Sequence, residues 1–309
     1  MKVLILKPRL DVMFKKSIIT SARGHVQPIR MHWERIVDKI QHKHRQDDVY
    51  VYEAPLWQFS PELVDSFGAD IAYIPHKEQH NFGCKTNAMF YMQTVFPWRF
   101  YVDSKGFAGG STLYGMSPDQ GNADSGAFEK LREYVLSGKS KFDQPTLGAL
   151  DTKSLGEYIL FPCQIPHDET IKYHSDVTVE QALDETCRVT ESLGIKLVVK
   201  GHPVNPSSMH SLKQIANQYK HTVWYDTVHI HDLISNAKVV VVVNSGCGME
   251  SLLHKKPVIT YGRAEYDCVT MKCILNNNLR ELLSTPVFNE FQVKKFFDKW
   301  CSLTCDTTN

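Results

Sequence analysis

The chain has 309 residues, of which 35 are Lys or Arg and 34 are Asp or Glu, giving a formal net charge of +1. That balance excludes a general electrostatic affinity for nucleic acid, so an acidic ligand depends on a local basic site. The length exceeds what one hydrophobic core ordinarily fills and predicts two domains. Eight cysteines with no CxxC pair and no repeating Cys/His spacing argue against a zinc site or a disulfide scaffold. They fit a reducing, cytoplasmic setting.

In chain order, "MKVLILKPRLDV" has too short an apolar run for a secretory signal, so the mature chain is expected to start here. No run approaches the roughly 20 apolar residues that span a bilayer, so a soluble protein without a transmembrane segment is expected. "KVLILK" (2–7) predicts a strand, followed by a helix around 29–40 and strands at "VYVYEAP" (49–55) and "ADIAYIP" (69–75). In "RMHWERIVDKIQHKHR", His42 and His44 do not share a helical face, so this reads as a solvated basic helix end rather than a metal cluster. The aromatic stretch "MFYMQTVFPWRFY" reads as core, with Trp98 and Arg99 as candidates to face a sugar acceptor. "GAFEKLREYVLSG" predicts an amphipathic helix. The polar, aperiodic "KSKFDQPTLGALDTKSLG" (139–156) reads as a linker.

The second half alternates more cleanly. "EYILFPCQI", "IKLVVKGHP", "TVWYD", the valine run from Val239 and "PVITYG" predict strands, separated by helices at "TVEQALDETCRVTESLG", 209–219, "VHIHDLISNA" and from Gly246 onward. Short loops between such units predict parallel sheets, hence α/β domains of the doubly wound, Rossmann-like kind. The boundaries expected are an N-terminal domain over 1–150, a C-terminal domain over 151–285 and a helix over 286–309 that packs back across the domains. That last helix, "NEFQVKKFFDKWCSL", has mixed charge; packing is the reading, with peripheral membrane contact as the alternative.

Five consecutive valines imply a strand buried on both faces. It ends at Asn244-Ser245, residues that cap helices, and Gly246 and Gly248 follow without bulky side chains. Ligands of open α/β sheets bind beyond the carboxyl ends of strands, so this exit is a candidate anion cradle in which backbone N–H groups meet a phosphate. A plain helix cap with close-packing glycines is the competing reading. Glu250, on the otherwise apolar "MESLLH", needs a partner if buried; ribose hydroxyls would suit, and a solvent-facing side chain is the alternative. At the exit of "VVKGHP", Lys200 and His202 are candidate charge-assisted phosphate donors, or the His-Pro pair merely ends the strand. At "FPCQIPHDET", Gln164, His167 and Asp168 follow a third strand exit, where an aspartate serves as nucleophile, base or cap.

"FPCQIPHDETI", "VVKGHP" and "NSGCGMESLLHKKPVITYGRAEYD", in that order, resemble the capsule-polysaccharide glycosyltransferases that include bacterial β-Kdo transferases. The likeness covers 157–267 well and the first half faintly. It implies a GT-B fold, two Rossmann-like domains with a cleft between them, a nucleotide-sugar donor held by the C-terminal domain and a glycan acceptor, with no cofactor and no metal. It implies His202 and Asn244-Ser245 at the donor phosphate, Glu250 at the ribose, and Asp168 of the Gln-x-Pro-x-Asp pattern as the nucleophile of a retaining reaction. "YVDSKGFAGGSTLYG" looks like a divergent form of the segment that supplies a second acid, which singles out Asp103. CMP-Kdo is the donor so implied. A UDP-sugar transferase, an epimerase of UDP-sugars and a non-catalytic sugar-nucleotide or polysaccharide binder remain open.

Overall fold

The computed structural model describes residues 1–9, 33–203 and 205–308. The described chain forms two compact units: 1–9, 33–113 and 300–308 make one, and 114–299 the other.

In the first unit β1 (Lys2–Pro8) lies between β2 (Asp48–Ala54) and β3 (Ile71–Pro75), and β4 (Ala88–Gln93) pairs with β3, all in parallel. β5 (Arg99–Asp103) is antiparallel to β4, and the strand Cys305–Asp306 closes that edge antiparallel to β5. The helix Trp33–Lys43 buries Trp33, Ile36, Val37 and Ile40, the spacing that puts four apolar side chains on one face; the part of the expected helix before Trp33 lies outside the described residues. Local chemistry sets the helix Pro61–Phe67: Ser60 accepts the Leu63 N–H at 3.2 Å, proline opens the first turn, and Gly68 ends it at φ 63°.

Two expectations need correction here. His44 is not solvated: it is buried, with Nδ1 2.8 Å from Asp47 and Nε2 2.8 Å from the Tyr73 hydroxyl. Arg99 does not await a sugar, because its guanidinium donates to the Cys301 carbonyl at 2.9 Å and the Thr304 hydroxyl at 2.8 Å and pairs with Asp306. Phe90, Tyr91, Phe96, Phe100 and Tyr101 are core, as expected of an aromatic stripe.

The second unit is a six-stranded parallel sheet built from β6 (Tyr158–Pro162), β7 (Lys196–Lys200), β8 (Thr222–Tyr225), β9 (Val239–Val242), β10 (Val258–Thr260) and β11 (Met271–Lys272). Their spatial order is β11-β10-β9-β6-β7-β8. The chain runs outward from β6 through β7 and β8, then returns to β6's other side with β9. β6 and β9 therefore flank the point where strand order reverses, the crevice where open α/β sheets bind ligands. Val239 to Val242 are fully buried on both faces, each contributing on the order of 1.5–3 kcal/mol of burial. The helix Val179–Leu193 carries the reciprocal Thr178/Gln181 capping box and ends at Gly194, φ 67°. Further on, Val293, Phe296 and Phe297 of the helix Glu290–Leu303 are fully buried. Among the described residues no helix is long and apolar enough to cross a membrane.

The stretch 139–156 is not a free linker. It lies within the second unit, where the Gly148 N–H donates to Asp232 at 2.9 Å and Gln144 accepts the Ile230 N–H at 3.3 Å. Its polar groups give it no core periodicity because they hydrogen-bond to neighbouring elements instead of burying apolar surface.

Candidate functional site

At the exit of β9, Ser245 caps the eight-residue helix Gly246–Leu253, its hydroxyl accepting the Cys247 N–H at 3.2 Å. The two glycines behind it differ. The Gly248 N–H is bonded to the Ser245 carbonyl at 2.8 Å, and a Cβ there would stand 2.6 Å from Cζ of the buried Tyr266, whose hydroxyl donates to the same carbonyl. Gly248 is thus a packing glycine, which corrects its place in the cradle. Gly246 is exposed at the helix start, where N–H groups lack intrahelical acceptors and meet the positive end of the dipole.

Gln164 and Asn244 join the exits of β6 and β9. Gln164 donates to the Asn244 side-chain Oδ1 at 2.8 Å and accepts the Asn244 backbone N–H at 3.0 Å; the Asn244 side-chain Nδ2 donates in turn to the Thr170 carbonyl at 2.9 Å. Asn244 is buried, so this pair braces the two loops instead of offering donors to a ligand. What it braces is the short helix Glu169–His174, capped by Asp168. One oxygen of Asp168 accepts from the Thr170 N–H at 2.9 Å and from its hydroxyl at 2.7 Å. The other oxygen has no hydrogen bond to any described residue, and the side chain is exposed. His167, beside it, is exposed too.

At the exit of β7 the expected pair divides. Lys200 is buried and turned back on the fold, donating to the Gly201 carbonyl at 2.8 Å and the Asp226 carbonyl at 3.3 Å. It is not available to a phosphate. His202 packs edge-on against Phe142, ring centroids 5.3 Å apart. Burial, reinforced by the charge of Lys200, pushes the His202 imidazole down to about 4, so near neutrality it serves as an uncharged N–H donor and not the expected cation.

Glu250 is buried, and its partner comes from within the protein: Ser140 donates its hydroxyl at 2.7 Å. That answers the demand for a partner without a ribose. Ser140 belongs to a pinned run of backbone. His229 Nδ1 accepts the His231 backbone N–H at 3.1 Å, which leaves its Nε2–H to donate to the Gly138 carbonyl at 3.0 Å. His231 Nε2 faces the Lys139 carbonyl at 3.0 Å and lies 3.8 Å from Glu250; its Nδ1 faces His254 Nε2 at 3.1 Å. Burial pushes His229 down and His254 down to about 3, so His254 donates to His231 as a neutral ring. Residues 138, 139 and 140 are therefore held one after another, and the next residue is Lys141. None of this strap was singled out from sequence. The His-x-His spacing of 229 and 231 was the available signal; its targets are main-chain carbonyls, which no residue pattern reveals.

In the first unit Asp103 is buried and fully engaged by its own loop. One oxygen accepts the N–H groups of Lys105 (2.8 Å) and Gly106 (3.2 Å); the other accepts from the Thr112 N–H at 3.0 Å and from the Thr112 hydroxyl. Such a carboxylate organises a loop and has little left with which to take a proton.

Residues 126–275 match the family described as capsule polysaccharide biosynthesis protein. The matched residues all lie within the second unit. A curated relative, the capsule polysaccharide export protein KpsS of Escherichia coli, is 29% identical over 122 residues, which are 36% of this chain and 31% of that protein. The chain thus matches about a third of that relative's length. Among solved structures, the β-Kdo 2,7 transferase KpsC of Thermosulfurimonas dismutans aligns over 96% of this chain and 90% of its own, at 16% identity and a TM-score of 0.57. The β-Kdo 2,4 transferase KpsC of the same organism aligns over 94% and 89%, at 14% identity and 0.54. At such identities the likeness is one of fold: two α/β units, as expected.

Proposed function

We propose that the protein is a glycosyltransferase of capsule polysaccharide assembly, moving a sugar from a nucleotide-sugar donor, CMP-Kdo first among candidates, to a glycan hydroxyl with retention of configuration. The observation that carries this reading is Asp168: an exposed aspartate beyond the carboxyl end of β6, at the reversal of strand order, with one oxygen fixed and the other open. A nucleophile needs that combination of fixed orientation and a free lone pair.

In this mechanism the open oxygen of Asp168 attacks the anomeric carbon and the nucleotide phosphate departs. The leaving charge meets the amide end of the helix at Gly246 and the N–H of His202. The acceptor hydroxyl then attacks the glycosyl ester from the face opposite Asp168, its proton passing to the nucleotide phosphate released on that face, and Asp168 departs as the carboxylate. Gln164 and Asn244 hold the two loops in register while this happens. Asp103, saturated by its loop, is given no proton-transfer role.

A thermal-shift series with CMP, UDP, GDP and ADP tests the reading, since a ligand that binds only the folded state raises the melting temperature. Stabilisation by CMP, lost in His202→Ala, together with transfer from CMP-Kdo, is the expected result. Silence from all four nucleotides sinks the transferase and favours the polysaccharide binder.

A further inference from the structure

Lys141 is the one residue of the pinned strap that the described contacts leave unused. Three successive groups before it are fixed: the Gly138 carbonyl by His229, the Lys139 carbonyl by His231 and the Ser140 hydroxyl by Glu250. The residue after it, Phe142, lies edge-on to His202. Lys141 is therefore held in position from both sides, at the end of the sheet that carries the site. Its ammonium makes no hydrogen bond and no ion pair with any described residue. It lies over no aromatic face closer than the 5.8 Å to its neighbour Phe142.

Its surroundings are those of the site. The charges of Asp168, Glu250 and Glu265 act on Lys141, and Lys141 acts on His202. The Lys141 side chain is half-buried, and burial pushes its ammonium down from the usual lysine range. A partly desolvated cation with three donors and no protein acceptor is costly unless an anion completes it. The carboxylates nearby offset its charge at a distance without taking its hydrogen bonds. A phosphate oxygen would take them, and would at the same time relieve the crowding of negative charge that Asp168 and a phosphate otherwise create.

Resting on the transferase reading, we propose that Lys141 is the cationic contact of the donor site, hydrogen-bonding the phosphate of the nucleotide sugar. It supplies the charge that Lys200, turned back on its own loop, does not. The histidine pair 229 and 231 then acts as positioning residues for Lys141.

Calorimetric titration of the full chain with CMP, UDP and the matched nucleosides cytidine and uridine isolates the phosphate's contribution. The wild type is expected to bind one nucleotide more tightly than its nucleoside. Lys141→Gln should weaken that nucleotide by about 10-fold or more, the worth of a charge-assisted hydrogen bond, while the nucleoside binds as before. Lys141→Arg should keep most of the nucleotide's advantage. If Lys141→Gln binds the nucleotide as the wild type does, the proposal is wrong. If both Lys141 variants lose nucleotide and nucleoside alike, the side chain only fixes the strap and the proposal is equally wrong. A wild type that binds none of the four ligands overturns the transferase reading instead, so the two failures are told apart.

Discussion

Two aspartates, one in each unit, stand in loops at strand exits and look alike in sequence, yet their oxygens are used in opposite ways. Asp103 accepts four hydrogen bonds from its own loop, while Asp168 fixes one oxygen on Thr170 and leaves the other open. The contrast separates a carboxylate that builds a loop from one that is built into place by a loop. Reactivity needs an unoccupied lone pair as well as orientation, and only the second unit provides both.

The same substitution at the two sites breaks or sharpens that contrast. Asp168→Asn should lower turnover by about 10³-fold or more and leave the melting temperature nearly unchanged, because asparagine caps a helix as well as aspartate does. Asp103→Asn should do the reverse. Replacing one accepting oxygen with an amide removes the acceptor of two Thr112 bonds and costs about 2–3 kcal/mol in urea unfolding, with turnover per folded molecule preserved. If Asp103→Asn folds like the wild type and loses turnover as Asp168→Asn does, the contrast is false.

A smaller effect tests whether the two glycines of the β9 exit differ as described. Gly248→Ala must displace the buried Tyr266 ring and should cost about 1–3 kcal/mol, read from the melting curve.

A further effect concerns pH. In the folded state His202 is pushed down to about 4 and His254 to about 3, both by burial first. The unfolded chain therefore binds protons that the folded chain refuses, so stability is full above the ordinary histidine range and falls as pH drops from about 6.5 toward 4. Urea midpoints at pH 7 and pH 5 should show this loss, and His254→Gln should reduce it. A midpoint that rises on acidification would contradict the buried neutral rings.

The second unit was the more legible in sequence because its strands are runs of β-branched residues buried on both faces, and Val239 to Val242 left little room for another reading. The three exits were found for the same reason: polar residues immediately after such runs stand out. Their roles were less legible. Gln164, Asn244 and Lys200 are residue types that bind phosphate and equally types that brace loops, and only the observed partners decide between the two. The strap was missed altogether. Ser140 and Lys141 sit in a polar, aperiodic segment whose anchoring runs through main-chain carbonyls, so it carried the composition of a linker while being fixed at three consecutive residues. In the first unit the Asp103 loop misled in the opposite direction, since an acidic residue followed by glycines and threonine suits a site and a turn network equally.

The route of the chain has a consequence for synthesis. The first unit is completed only when residues 300–306 arrive: they supply the carbonyl and carboxylate partners of Arg99 and the antiparallel neighbour of β5. During translation, everything needed for the second unit's parallel sheet has left the ribosome before the edge of the first is covered. The nascent first unit therefore waits with an open sheet edge and an unpaired arginine beside a core of aromatic rings, the kind of exposed strand that chaperones protect and that aggregates when they do not. A ribosome stalled after residue 299 would hold the protein with the first unit still unfinished.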